Sequence, residues 1–125
     1  MKRIIHTDNA PKAIGPYSQA IEVNGTLYIS GQVPVNPATG TVVEGGIETQ
    51  TEQVMKNIGA ILEAAGYSFK DVVKSTCLLS DMVNFKPMNE IYGKYYAQEP
   101  PARVAFAVKE LPLGVLVEID TIAVK

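Results

Sequence analysis

At 125 residues the chain is sized for one domain, residues 1–125, with a single hydrophobic core. Eleven basic against thirteen acidic side chains leave a net charge of -2, which argues against nucleic acid and anionic membrane as partners. A single cysteine, Cys77, and a single histidine, His6, leave no means of building an intrachain disulfide, a Cys-x-x-Cys redox pair or a zinc cluster, and no cofactor motif is present.

The opening residues Met1 to His6 carry two basic side chains but no apolar run of signal-sequence length, and no segment is long and apolar enough to cross a bilayer, so the expected location is the cytoplasm. No repeat, low-complexity tract or linker divides the chain. The first strong local signal is Asn24-Gly25 between two strand-like runs, 17–23 and 26–30, because Asn-Gly supplies the positive φ angles of a type I′ hairpin. A two-residue loop sets Val23 against Thr26, Ile21 against Tyr28 and Gln19 against Ser30, with Tyr17 diagonal to Ser30.

Pro34, Pro37 and Gly40 mark an irregular stretch, after which apolar residues from Ile47 to Ala65 recur at helical spacing and Gly66 stands where a C-terminal cap belongs. Residues 72–79 read as a strand rich in β-branched side chains. Asn84 is placed to cap a second helix that carries Phe85, Met88, Ile91, Tyr92 and Tyr95 on one face, ended by Pro100-Pro101. Two strands follow, 103–108 and 115–124, separated by a turn around Pro112 and Gly114. The order β-β-α-β-α-β-β indicates an α+β domain with both helices on one face of a mixed sheet.

Strand alternation places Arg103 on one face with Ala105 and Ala107, where two methyl groups leave space for a small anion. Glu118 lies between apolar neighbours; partial desolvation there raises its proton affinity and suits it to orient or activate a water. The plainer alternative is an arginine and a glutamate on neighbouring strands forming a simple salt bridge. Ser30-Gly31-Gln32 brings a strand to a glycine, where backbone can approach a ligand closely or merely turn. No nucleophile elbow surrounds Ser30, Gly45-Gly46 lacks the Lys-Ser/Thr of a phosphate loop, and Cys77 in mid-strand reads as a small buried thiol.

Pro101-Ala102-Arg103-Val104-Ala105-Phe106, then Leu111 and Val117-Glu118-Ile119, resemble the defining motif of the reactive-intermediate deaminase (RidA) family. The likeness extends through 13–20, through Tyr28 to Gln32, the 47–66 helix and Asn89, which is essentially the whole chain. It implies a chorismate-mutase-like α+β fold and a homotrimer whose clefts lie between subunits, each lined by two chains. It implies hydrolysis of 2-imino acids such as 2-iminobutanoate and 2-iminopropanoate to 2-keto acids and ammonia, without cofactor or metal. In that pattern Arg103 anchors the substrate carboxylate, Glu118 positions the hydrolytic water, and Tyr17, Ser30, Gly31 and Asn89 line the pocket. One departure is Ala105, where many members have cysteine, so no thiol acts at that position here. The same clefts could serve a regulatory trimer that binds small carboxylates without turnover. A ribonuclease needs basic groups along a phosphate backbone, and a chorismate-mutase chemistry needs more cations around a dicarboxylate than one arginine in a motif.

Overall fold

The computed structural model describes all residues, 1–125. Its strands and helices are β1 (Arg3–Ile5), β2 (Ala20–Val23), β3 (Thr26–Gln32), β4 (Val35–Asn36), β5 (Thr41–Val42), α1 (Ile47–Ala65), β6 (Val72–Leu79), α2 (Phe85–Tyr95), β7 (Ala102–Ala107) and β8 (Val117–Val124). Six strands form one mixed sheet in the order β1-β2-β3-β8-β6-β7, antiparallel throughout except for the β6–β7 pair, while β4 and β5 make a separate two-stranded ribbon.

The Asn-Gly hairpin forms in the expected register, Val23 facing Thr26 and Ile21 facing Tyr28, with Asn24 at φ 50° and Gly25 at φ 80°. The strand before it is shorter than the expected 17–23 run, spanning Ala20–Val23. Tyr17 lies outside β2, in a bend where its N–H donates to the Gly15 carbonyl (2.9 Å), and so cannot be diagonal to Ser30 on a sheet face. Ser30 does meet Gln19, whose carbonyl accepts from the Ser30 N–H at 3.0 Å.

Helix α1 spans the expected residues and ends on Gly66 in the left-handed conformation, φ 84°, the geometry that a residue without Cβ adopts most cheaply. Asn84 stands at the N-cap of α2, but its side chain makes no capping bond; Asp81 instead accepts from Val83 N–H at 2.8 Å in the 3₁₀ turn just before. One face of the sheet carries the core, where Leu27, Ile29, Cys77, Leu79, Val117, Ile119 and Ala123 meet Val54, Met55, Ile58, Ile61 and Leu62 of α1 and Met88 and Tyr92 of α2. Burying each such aliphatic side chain contributes about 1.5–3 kcal/mol. Cys77 is fully buried among the core side chains, and burial pushes its thiol up to about 12, which suits it to packing.

The opposite face of the sheet has no helix over it. Ile4, Tyr28, Val104, Phe106 and Val124 project from it, Tyr28 still 48% exposed and Phe106 45%. The 7–19 segment is tied down by Gln19, whose buried amide donates to the carbonyls of Thr7 (3.0 Å), Ala10 (3.3 Å) and Pro11 (2.9 Å) and accepts from Thr7 N–H (2.7 Å). These bonds satisfy backbone groups that no strand pairs, and they fix the approach to Tyr17.

Candidate functional site

A β-bulge builds the centre of the site. Ile29 pairs with Thr121 and Gln32 with Ile119, so Ser30 and Gly31 together oppose the single residue Asp120. The Ser30 hydroxyl donates to the Ser18 carbonyl at 2.6 Å, fixing that side chain, and the Gln32 amide donates to the Ser30 carbonyl at 3.0 Å. Beside the bulge the Glu118 carboxylate lies over Gly31: a Cβ added there would overlap Oε2 and come within 3.0 Å of Cδ. The absence of a Cβ at Gly31 is therefore what leaves room for the Glu118 carboxylate in this position.

Glu118, Gly31, Ser30 and Tyr17 line one cleft of about 960 Å³, together with Pro37 to Gly40 between β4 and β5 and with Pro112 and Leu113. The volume suits a small ligand. Burial raises the Glu118 pKa above the ordinary carboxylate value, and the like charge of Asp120, two residues on along the same face, adds to the shift. Leu113, at the cleft edge, holds φ 59°, an uncommon conformation for a side chain of this kind. Lys12, Ile14 and Leu113 are lining residues that sequence reasoning missed; they sit on loops without periodicity, and their place at the cleft follows from the Gln19 bonds and the Pro112 turn.

Arg103 and Asn89 are elsewhere. The Arg103 guanidinium donates from Nη1 to Asn89 Oδ1 at 2.7 Å and lies 5.4 Å from the Phe85 ring centre and 5.0 Å from that of Tyr92. Ala105 follows it on the same face of β7, opposite Cys77 of β6.

The salt-bridge alternative fails on topology. Arg103 and Glu118 are not on neighbouring strands, because β6 runs between β7 and β8. Arg103 is registered with Ser75 and Glu118 with Leu78, three positions along β6. That offset is about 10 Å along the strand and two inter-strand spacings of about 4.8 Å across, and side chains an odd number of positions apart point to opposite faces. Ser75 is fully buried on the helix-covered face, so Arg103 faces the helices and Glu118 faces the open side. Within one chain the six expected residues thus form two groups, Tyr17, Ser30, Gly31 and Glu118 in the cleft, and Arg103 with Asn89 at the edge strand.

Gly31→Ala is expected to retain the fold, since the displaced atoms belong to the movable end of a side chain, but to swing the Glu118 carboxylate off the bulge. A loss of turnover with a melting temperature within a few degrees of wild type is the expected result; unchanged turnover would show that the carboxylate position over Gly31 is immaterial.

Residues 7–125 match the family model described as Endoribonuclease L-PSP. The chain is 56% identical over 125 residues to a RutC family protein of Pyrococcus horikoshii, covering 100% of this chain and 99% of the relative. It is 50% identical to the 2-iminobutanoate/2-iminopropanoate deaminase of Mus musculus, covering 100% of this chain and 93% of the relative. The solved structure of RidA from the Antarctic bacterium Psychrobacter superposes with a TM-score of 0.95 at 46% identity, covering 98% of this chain and 99% of that one.

Proposed function

We propose, on the premise that the chain belongs to the Endoribonuclease L-PSP family, the RidA family, that it hydrolyses 2-imino acids to 2-keto acids and ammonia in a cleft closed by two copies of itself. The observation that carries this reading is the pair of complementary half-sites. One half holds a guanidinium with no carboxylate partner, the other a desolvated carboxylate in a cleft that has no arginine. A 2-imino acid needs both: a cation for its carboxylate and a base for water at C2. The open apolar sheet face around Tyr28, Val104 and Phe106 supports self-association, and the deaminase name borne by the mouse relative supports the chemistry. A homotrimer is the assembly in this reading, and the cytoplasm its setting.

In the proposed reaction the two parallel N–H groups of Arg103 bind the substrate carboxylate as a planar fork. The Glu118 carboxylate accepts a proton from water as the water oxygen bonds to C2, the C=N π pair moves to nitrogen and the nitrogen takes up a proton from solvent, giving a tetrahedral carbinolamine. Glu118 then returns its proton to nitrogen, the carbinolamine hydroxyl proton is released to solvent as the carbonyl forms, and the C–N bond breaks with its electron pair passing to nitrogen, so that ammonia leaves and takes up a proton in solution. Ser30, held by Ser18, and Tyr17, whose hydroxyl accepts from Ile14 N–H at 3.3 Å, complete the wall against which the imine lies. Imine hydrolysis is quick in water, so fixing carboxylate and water in register supplies a useful acceleration without a covalent intermediate.

The test is keto-acid formation from 2-iminobutanoate and 2-iminopropanoate generated in place by an amino-acid dehydratase or oxidase. Acceleration over the uncatalysed rate is expected. Tight binding of the 2-keto acid with no acceleration would replace this reading by a regulatory trimer. The ribonuclease activity named in the family description finds little support in the cleft, where Lys12 is the one cationic side chain.

A further inference from the structure

The binding of a substrate carboxylate by Arg103 requires that the cation be held in place and yet keep its charge for the ligand. An aspartate or glutamate would hold an arginine firmly but would also neutralise it and occupy its fork. No carboxylate lies within ion-pair distance of the Arg103 guanidinium. Phe85, Asn89 and Tyr92 stand at i, i+4 and i+7 on α2 and so form one stripe. Two of them turn ring faces to the guanidinium, at 5.4 and 5.0 Å, and the third gives an amide oxygen at 2.7 Å to Nη1. Every group of this stripe in contact with the cation is neutral.

We propose that α2 is a neutral clamp, in which Phe85, Asn89 and Tyr92 are positioning residues that orient the Arg103 fork toward an incoming carboxylate without quenching it. The inference rests on the reading of Arg103 as the carboxylate anchor and goes beyond it by assigning the helix that holds the anchor. The ring quadrupoles attract the cation from its faces, so the in-plane N–H groups not used by Asn89 are left free for a ligand. Asn89 is thus a partner of the arginine before it is a lining residue. The Tyr92 hydroxyl is buried and makes no hydrogen bond, so the ring face is what this side chain contributes to the clamp.

The experiment measures the dissociation constant of 2-oxobutanoate, the stable product, by calorimetry on the assembled protein, together with KM and kcat. Asn89→Asp keeps the side-chain shape and adds one negative charge, and is expected to weaken 2-oxobutanoate binding at least tenfold, more than Asn89→Ala does, which a merely structural asparagine would not show. Phe85→Leu and Tyr92→Leu are expected to raise the dissociation constant and KM about two- to tenfold, the range of a cation–π contact, with kcat moved less. Tyr92→Phe should recover most of what Tyr92→Leu loses. If Tyr92→Leu does not fold, Asn89→Asp and Phe85→Leu, at half-buried positions, carry the test. Wild-type affinity in Asn89→Asp and Phe85→Leu, alongside loss of binding in Arg103→Ala, would overturn the clamp and leave the anchor standing. Wild-type affinity in Arg103→Ala itself would instead remove the anchor on which the clamp depends.

Discussion

Arg103→Ala is expected to lower kcat/KM for 2-iminobutanoate by at least tenfold and by up to about a hundredfold. A hydrogen bond to a charged group is worth about 1.5–3 kcal/mol, and each 1.36 kcal/mol of lost transition-state stabilisation is a factor of ten. The upper part of the range applies if both arms of the fork engage the carboxylate in a site that excludes water. Arg103→Lys restores the charge but not the fork, and its activity is expected between the two. The effect on folding should be small, because the side chain is half exposed and its one hydrogen bond goes to Asn89. Steady-state kinetics and a melting curve on the same preparations separate the two effects. Near-normal turnover in Arg103→Ala would end the anchor role.

Glu118→Gln is expected to reduce kcat about a hundredfold, at the low end of what a positioned general base contributes. Its pH behaviour follows from the raised pKa. In the proposed role the base works as the carboxylate, so the rate of the wild-type protein is expected to fall as pH drops through the Glu118 pKa, at a higher pH than an ordinary glutamate would give. Glu118→Gln should lack this acidic limb. Asp120→Asn removes the smaller, like-charge cause and should move the limb to lower pH by a lesser amount than burial raised it. The sign for stability is the reverse of the usual carboxylate case. The folded state binds the proton more tightly than the unfolded chain, so this group favours folding below the unfolded pKa. That contribution is lost as pH rises through the folded pKa. At neutral pH Glu118→Gln is therefore expected to melt slightly higher than wild type while turning over more slowly. A rate and an acidic limb both unchanged in Glu118→Gln would remove the acid/base role.

Much of the fold was legible because its signals are local. The α1 pattern with Gly66, the β-branched run of β6 and the Asn-Gly hairpin each specify their own geometry over a few residues. Strand β1 has no such signal: three residues pair with β2, held by the Arg3–Glu22 ion pair at 2.8 Å and by the bond from Arg3 to the Ala65 carbonyl at 3.1 Å. The β4–β5 ribbon hid among prolines for the same reason. The run flanking the Asn24-Gly25 turn reads as a strand from Tyr17, but Gly15-Pro16 and the Gln19 bonds bend the chain there.

The site was legible as residue types and not as geometry. Arg103 and Glu118 were read from one motif, yet their separation depends on β6 inserting between β7 and β8, a non-local property of sheet order. The bulge at Ser30-Gly31 depends on register against β8 and leaves only a glycine in the sequence as its mark. Phe85 and Tyr92 were visible as a helical stripe, but periodicity reports a buried face without saying that a cation lies on it.

In the proposed site Arg103 of one copy and Glu118 of another act on the same substrate. Refolding Arg103→Ala and Glu118→Gln chains together in equal amounts tests it directly. Each variant alone is expected to be nearly inactive. In a cyclic trimer every mixed assembly has one interface where an intact Arg103 meets an intact Glu118. Random mixing should then restore about a quarter of wild-type turnover. No recovery beyond the two separate variants, in a mixture shown to form mixed trimers, would contradict a site shared between subunits.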